Sequence, residues 1–420
     1  MHINTPLGEV LPRHARTPLA DALNDTRVVL LNGARQCGKS TLAAAMANEK
    51  GLAWWSLDRQ ATLTAAQGDP TAFVREAPAM VIDEVQRAPE LLLAIKEVVD
   101  MDPAPGHFLL TGSSHVMSLR AVPDALPGRM ETIELFPLSQ GEIEATPDGF
   151  VDAAFARGPE LRAGKPETRA SYVHRIVRGG FPEALAREGP RRKRFHRSYV
   201  ADLIDREVTQ VADVERTPQM RALVRILASR SGTVLFANQL ASRLELAHGT
   251  VQRYLALLEE VFLIKRIPAW TGGVAGRAIH APKLAFVDSG IAASALGLDQ
   301  VGLEPIGAPL GGLLEAFAAM EVRRQLTWAD TTAELFHYRS RDKIEVDLVL
   351  EDDRGRIIGM EVKSSASLTG REFSGLRHLE ARLGERFLAG YVLYLGDQVL
   401  PFGGKMRALP LNAIWLASAS

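Results

Sequence analysis

The chain has 420 residues, with 49 lysines and arginines against 50 aspartates and glutamates and a formal charge of −1. That length leaves room for two to four domains with sizeable cores, and the charge balance excludes a global basic field, so any nucleic-acid contact has to come from local patches. A single cysteine, Cys37, excludes an intramolecular disulfide framework; with no apolar stretch of the ~18 to 20 residues a membrane span needs and no secretory h-region at the start, a cytoplasmic protein without a membrane partner is expected.

In chain order, the first predicted strand is Val28-Val29-Leu30-Leu31, and it runs into Gly33-Ala34-Arg35-Gln36-Cys37-Gly38-Lys39-Ser40, a complete G-x-x-x-x-G-K-S. An apolar helix opens at Lys39 and continues through Thr41-Leu42-Ala43-Ala44-Ala45-Met46. Strand, glycine-rich loop and helix in that order make a phosphate cradle: loop amides and the helix N-terminus hold the phosphates, Lys39 reaches the β and γ oxygens, and the Ser40 hydroxyl ligates Mg²⁺. The expected cofactors are therefore ATP and Mg²⁺. Cys37, inside the loop, reads either as a reactive thiol or as a small filler.

Trp54-Trp55-Ser56-Leu57 ending at Asp58 is a further candidate strand, and Ala79-Met80-Val81-Ile82 stops at Asp83-Glu84. Strand C-termini gather at the ligand crevice of a doubly wound sheet, so Asp83 is expected in the Mg²⁺ shell and Glu84 as the group that polarises the attacking water. His107-Phe108-Leu109-Leu110 ends at Thr111-Gly112-Ser113-Ser114, whose hydroxyls, Ser113 among them, read either as holding water or the γ-phosphate or as turn chemistry. Arg129 is the preferred charge-stabilising finger and Arg206 the second; either one acting on a neighbouring subunit implies a homo-oligomer.

These residues, with Leu57-Asp58, Ile82-Asp83-Glu84-Val85-Gln86, Leu110-Thr111-Gly112-Ser113-Ser114 and residues 128–139 beginning Gly128-Arg129-Met130, resemble the prokaryotic AAA-type ATPases fused to the domain of unknown function 4143. The resemblance covers nearly the whole chain. It implies an α/β protein: a P-loop AAA-type ATPase core (1–140), a connection and helical lid (141–220), a winged helix-turn-helix (221–280) and a restriction-endonuclease-like α/β domain (281–420).

Beyond the core, Arg191-Arg192-Lys193-Arg194 and Arg197 form the most basic stretch, read as a solvated helix face or a phosphate-backbone contact. Residues 238–245 and 249–260 read as a helix-turn-helix, with Val251, Leu255, Leu258 and Val261 on the apolar side. Thr250, Gln252 and Arg253 are left where base or phosphate contacts are made, which makes DNA the expected macromolecular partner.

In the C-terminal part, Ile344-Glu345-Val346-Asp347-Leu348-Val349-Leu350 and Met360-Glu361-Val362-Lys363 alternate with period two around a turn at 352–355. A hairpin centred on Arg354 sets Asp347 opposite Glu361 and Glu345 opposite Lys363. Opposed carboxylates repel unless a cation lies between them, so Mg²⁺ or Mn²⁺ is expected there, activating water for phosphodiester cleavage while Lys363 stabilises the developing charge. The resemblance matches this to the Asp, Glu-x-Lys constellation of restriction-like nucleases and adds Glu315 as the acid on the preceding helix. Arg339 and Arg341 are candidate phosphate grips, and the segment from Pro282 to Asp288 reads as a domain junction. The expected function is ATP hydrolysis coupled to action on DNA; the alternative is a regulatory ATPase switch with an inactive nuclease-like scaffold that binds protein partners.

Overall fold

The computed structural model of the protein describes residues 6–8, 10–112, 126–208 (backbone alone at 206–208), 217–272, 281–340 and 344–419. The chain divides into two compact units. The first takes Met1–Leu138 with Phe181–Ala186 and Glu260–Phe262; the second takes Ser139–Gly180, Arg187–Glu259 and Leu263–Ser420.

The first unit is built on a parallel sheet in the order β2-β3-β4-β1-β5, where β1 is Val28–Gly33, β2 Ala53–Ser56, β3 Met80–Asp83, β4 Phe108–Gly112 and β5 Met130–Leu135. The three inner strands are buried along their whole length, as parallel strands covered on both faces must be. Their Val, Ile, Leu and Phe side chains share a core with Leu91, Leu92 and Ile95 of the helix Leu91–Met101. The strand β5, which the sequence reading left unassigned, lies at the sheet edge with Glu131 and Thr132 exposed and Ile133 and Leu135 buried. The helix Lys39–Lys50 follows β1 directly. It presents Leu42, Ala43, Ala44, Met46 and Ala47 inward, and stops at Gly51 (φ 70), whose amide donates to the Ala47 carbonyl. Because β4 separates β1 from β3, the ends of β1 and β3 stand two strand spacings apart, roughly 10 Å. The end of β4, with Thr111, fills the gap.

The second unit carries a mixed sheet in the order β12-β13-β11-β10-β9-β8: β8 is Ala333–Arg339, β9 Glu345–Asp352, β10 Ile357–Lys363, β11 Phe387–Tyr394, β12 Leu400–Pro401 and β13 Met406–Pro410. Pairing is antiparallel through β8, β9 and β10 and parallel through β10, β11 and β13. Leu376 and Leu379 of the helix Ser374–Leu383 enter one core with Val346, Phe336, Phe387 and Val392. Ahead of this sheet, the helices Thr217–Ser229, Ala237–Leu244 and His248–Glu260 lead into an antiparallel pair, β6 (Ile264–Ile267) and β7 (Lys283–Phe286). The helix Gly311–Gln325 then packs against both β7 and β10.

The second unit thus gathers stretches of all three segments expected as separate domains: Ser139–Gly180, Arg187–Glu259 and Leu263–Ser420. The segment read as a connection is woven into the C-terminal part: Tyr391 Oη donates to the Gly158 carbonyl at 2.6 Å, Arg407 Nε to the Pro159 carbonyl at 2.6 Å, and Gln325 Nε2 to Asp148 at 2.8 Å. Residues 148–159 thus satisfy polar groups of the C-terminal part.

Candidate functional site

The phosphate loop is shaped by its glycines and pinned from its flanks. A Cβ added at Gly33 would lie 2.1 Å from the Leu135 carbonyl oxygen, so β1 and β5 close only around glycine there. Gln36 (φ 60) and Gly38 (φ 103) take left-handed backbone and turn the chain into the helix Lys39–Lys50. Arg13 Nη1 donates to the Cys37 carbonyl at 2.9 Å and its Nη2 to the Phe136 carbonyl at 2.7 Å. Cys37 is fully buried with Sγ donating to the Leu135 carbonyl at 3.3 Å, which is the filler role of the two readings. The buried Lys39 folds back on its own loop, donating from Nζ to the Gly33 and Ala34 carbonyls, both at 2.9 Å.

Three hydroxyls converge on Asp83. Ser40 Oγ donates to Oδ1 at 2.8 Å, Thr111 Oγ1 to Oδ1 at 2.6 Å, and Ser56 Oγ to Oδ2 at 3.2 Å. This all-oxygen set of hydroxyls and carboxylate fits a hard cation such as Mg²⁺. Glu84 follows in left-handed backbone (φ 61), its amide donating to Thr111 Oγ1 at 3.2 Å and its carboxylate accepting from Gln86 Nε2. Burial pushes the Glu84 carboxyl above its ordinary range, against the opposing pull of the Lys39 charge. A cavity of about 460 Å³ opens over the loop, lined by Leu7, Val10 and Leu11 of the N-terminal arm together with Gly38, Ser40 and Glu84. Sequence reasoning missed this arm and Arg13; its local signal is the apolar Leu7, Val10 and Leu11 ahead of Arg13 and Arg16.

One expectation at this site needs correcting. Arg129 sits at the amino end of β5 beside Val28, the far end of β1 from the loop, roughly 16 Å away at strand rise. Its Nε donates to Asp100, so it does not serve its own chain as the finger. Asp58 pairs with Arg87 at 2.7 Å in an exposed salt bridge. Ser113 and the Arg206 side chain lie outside the described residues.

In the second unit the hairpin register is the expected one. Pairing runs Ile357↔Glu351 to Met360↔Leu348, and Asp347 and Glu361 follow next in that register. At that point the Val362 amide donates to Asp347 Oδ2 at 3.0 Å. The charges between the carboxylates come from the chain itself. Lys283 of β7, 3% exposed, donates from Nζ to Glu315 Oε1 at 2.5 Å and to Asp347 Oδ1 at 3.0 Å. Lys363 Nζ lies 2.5 Å from Glu361 Oε2 and 3.6 Å from Asp347 Oδ2. Glu315, Asp347 and Glu361 were expected to ligate Mg²⁺ or Mn²⁺ with Lys363 free to face a phosphate; ammonium groups hold those oxygens instead. Among the described residues no group of three or more His, Cys, Asp or Glu is arranged to hold a metal ion. Burial pushes Glu315 up to about 8, and Glu361 likewise to about 8, the neighbouring Asp347 charge adding to both. Burial also opposes ionisation of Asp347, but Lys283, Lys363 and the Val362 amide together hold it below the usual carboxylate range. Lys283, read from sequence as a junction residue, is thus a member of the cluster. Arg339 pairs with Glu345 at 3.0 Å, and Arg341 lies outside the described residues.

On the helix His248–Glu260, Val251, Leu255 and Leu258 are buried while Gln252 and Arg253 are exposed and Thr250 is half-buried. In the helix Gly189–Asp202, Arg192, His196 and Tyr199 face inward and Arg191, Arg194 and Arg197 outward, so part of the basic stretch is structural. No helix among the described residues is long and apolar enough to cross a membrane.

Comparison with known proteins matches three separate stretches of the chain. Residues 25–144 match the AAA domain, 169–301 a domain of unknown function (DUF8612) and 310–414 a domain of unknown function (DUF4143). Uncharacterized proteins Rv2008c of Mycobacterium tuberculosis and Mb2031c of Mycobacterium bovis are each 26% identical over 408 residues, 96% of this chain and 84% of theirs. Among solved structures, the Walker-type ATPase paby2304 of Pyrococcus abyssi matches with a TM-score of 0.42 and 14% identity, over 68% of this chain and 96% of that one. A variant of RuvB from Thermotoga maritima matches with a TM-score of 0.29 and 21% identity, over 60% and 89%. The first unit is an AAA-type ATPase domain, on the domain match and on its own phosphate loop.

Proposed function

We propose that this protein binds and hydrolyses ATP at the Gly33–Thr41 loop and uses the resulting change to act on DNA docked at the helix His248–Glu260. The observation that carries the ATPase reading is the convergence of Ser40, Thr111 and Ser56 on Asp83, with Glu84 beside it. Lys39 leaves the loop carbonyls for the β and γ oxygens of ATP, an exchange of one set of acceptors for another within its reach. Ser40 and Asp83 would hold Mg²⁺, which when bound neutralises phosphate charge. Glu84, made more basic by burial, takes a proton from the attacking water, and Gln86 fixes the direction of its carboxylate. The apolar arm at Leu7, Val10 and Leu11 offers a surface for the adenine base.

A second reading, a regulatory switch whose C-terminal part is a nuclease-like scaffold without cleavage chemistry, is favoured by one observation: Lys283 and Lys363 hold the three carboxylates. Steady-state ATP hydrolysis with and without duplex DNA separates the two. Turnover raised several-fold by DNA in wild type, and lost in Lys39→Ala, supports action on DNA. Turnover indifferent to DNA supports the switch, and wild-type turnover in Lys39→Ala would sink both.

A further inference from the structure

The carboxylates at the ends of β9 and β10 and on the helix Gly311–Gln325 invite a divalent cation by their chemistry, yet the donor atoms are already committed. Lys283 Nζ engages Glu315 Oε1 and Asp347 Oδ1; the Val362 amide and Lys363 share Asp347 Oδ2; Lys363 engages Glu361 Oε2. We propose that the ammonium of Lys283 permanently takes the place a divalent cation would hold between Glu315 and Asp347, making this a lysine-closed, metal-free site. The proposal is independent of the ATPase reading.

The argument for permanence comes from the backbone. Lys283 pairs with Ile267 of β6 on one side and bridges to Val234 on the other, while the Leu235 amide donates to the Pro282 carbonyl at 2.8 Å. Its Cα is therefore clamped between two neighbours, and its side chain, 3% exposed, has no solvent-facing position to retreat to. A metal entering from solvent would have to displace a buried ammonium whose carboxylate partners among the described residues are Glu315 and Asp347, and would strand it as a buried, unpaired charge. The ammonium also performs the cation's structural task, since one donor holds both Glu315 Oε1 and Asp347 Oδ1 in place. Covalent attachment replaces binding: the local concentration of this cation cannot be lowered by chelation.

The experiment counts bound Mn²⁺ by electron paramagnetic resonance in chelator-stripped, nucleotide-free protein at millimolar free Mn²⁺. Wild type and Asp347→Asn are expected to bind the same number of ions, because no ion depends on Asp347. Lys283→Met is expected to gain one ion per chain and, with it, an Mn²⁺-dependent rise in melting temperature that wild type lacks. Combining Lys283→Met with Asp347→Asn should remove both gains. A wild-type ion that disappears in Asp347→Asn overturns the proposal, as does a folded Lys283→Met that gains none. Should Lys283→Met fail to fold, the comparison of wild type with Asp347→Asn, repeated with Glu315→Gln, decides alone.

Discussion

At Glu84 a left-handed backbone and a raised carboxyl coincide at the end of a buried strand. A non-glycine residue at positive φ is disfavoured, and such strain gathers at functional sites. Glu84→Gln is expected to keep ATP binding, measured by equilibrium titration, and to lose turnover by about 100-fold or more, the scale of a positioned general base. Gly33→Ala tests the loop itself: a methyl 2.1 Å from the Leu135 oxygen must push β5 from β1, so a clearly lower melting temperature and lost ATP binding are expected. Gly33, Lys39, Ser40, Asp83 and Glu84 were legible in sequence because each sits in a short local motif whose spacing dictates geometry. Thr111 was one of the strand-end hydroxyls read either as holding water or the γ-phosphate or as turn chemistry, and Ser56 and Arg13 were not singled out, since their partners are 24 or more residues away and only the tertiary fold brings them together.

Among the elements, the pair of helices Ala237–Leu244 and His248–Glu260 lies within a residue or two of the sequence assignment, because its apolar spacing is strongly helical. The two faces of the second helix should separate experimentally. Leu255→Ala, at a side chain 1% exposed, is expected to cost about 2 to 5 kcal/mol in chemical denaturation. Arg253→Ala, on the exposed face, should leave stability unchanged, weaken DNA binding and reduce the salt slope by about 1; identical isotherms across salt would remove this helix as a DNA contact. The hairpin β9–β10 was also legible, register included, since period-two alternation and a turn at Gly355 leave little choice. By contrast β5 was missed: as an edge strand interrupted by exposed Glu131 and Thr132 it lacks the continuous apolar run of its neighbours.

For the whole molecule, the buried acids of the second unit make stability depend on pH. Glu315 and Glu361 titrate near 8 in the fold against an ordinary value of 4.5. The stability they contribute is therefore full below about 4.5 and is lost as pH rises through 8. Asp347, held low, acts in the opposite sense and only on the acid side. The melting temperature of the second unit is expected to fall between about pH 5 and 8, and Glu361→Gln to flatten that fall; a slope unchanged by the substitution would rule these groups out as its source. The sequence by itself determined the phosphate loop, the acidic strand end, the helix pair and the hairpin register, because each follows from periodicity or spacing within a short stretch. Only the tertiary structure decided that Arg129 lies at the wrong end of the sheet, that Ser139–Gly180 shares a unit with the C-terminal sheet, and that Lys283 lies among the carboxylates. Those outcomes depend on strand order and on which distant segments bury their polar groups together, and no local pattern encodes either.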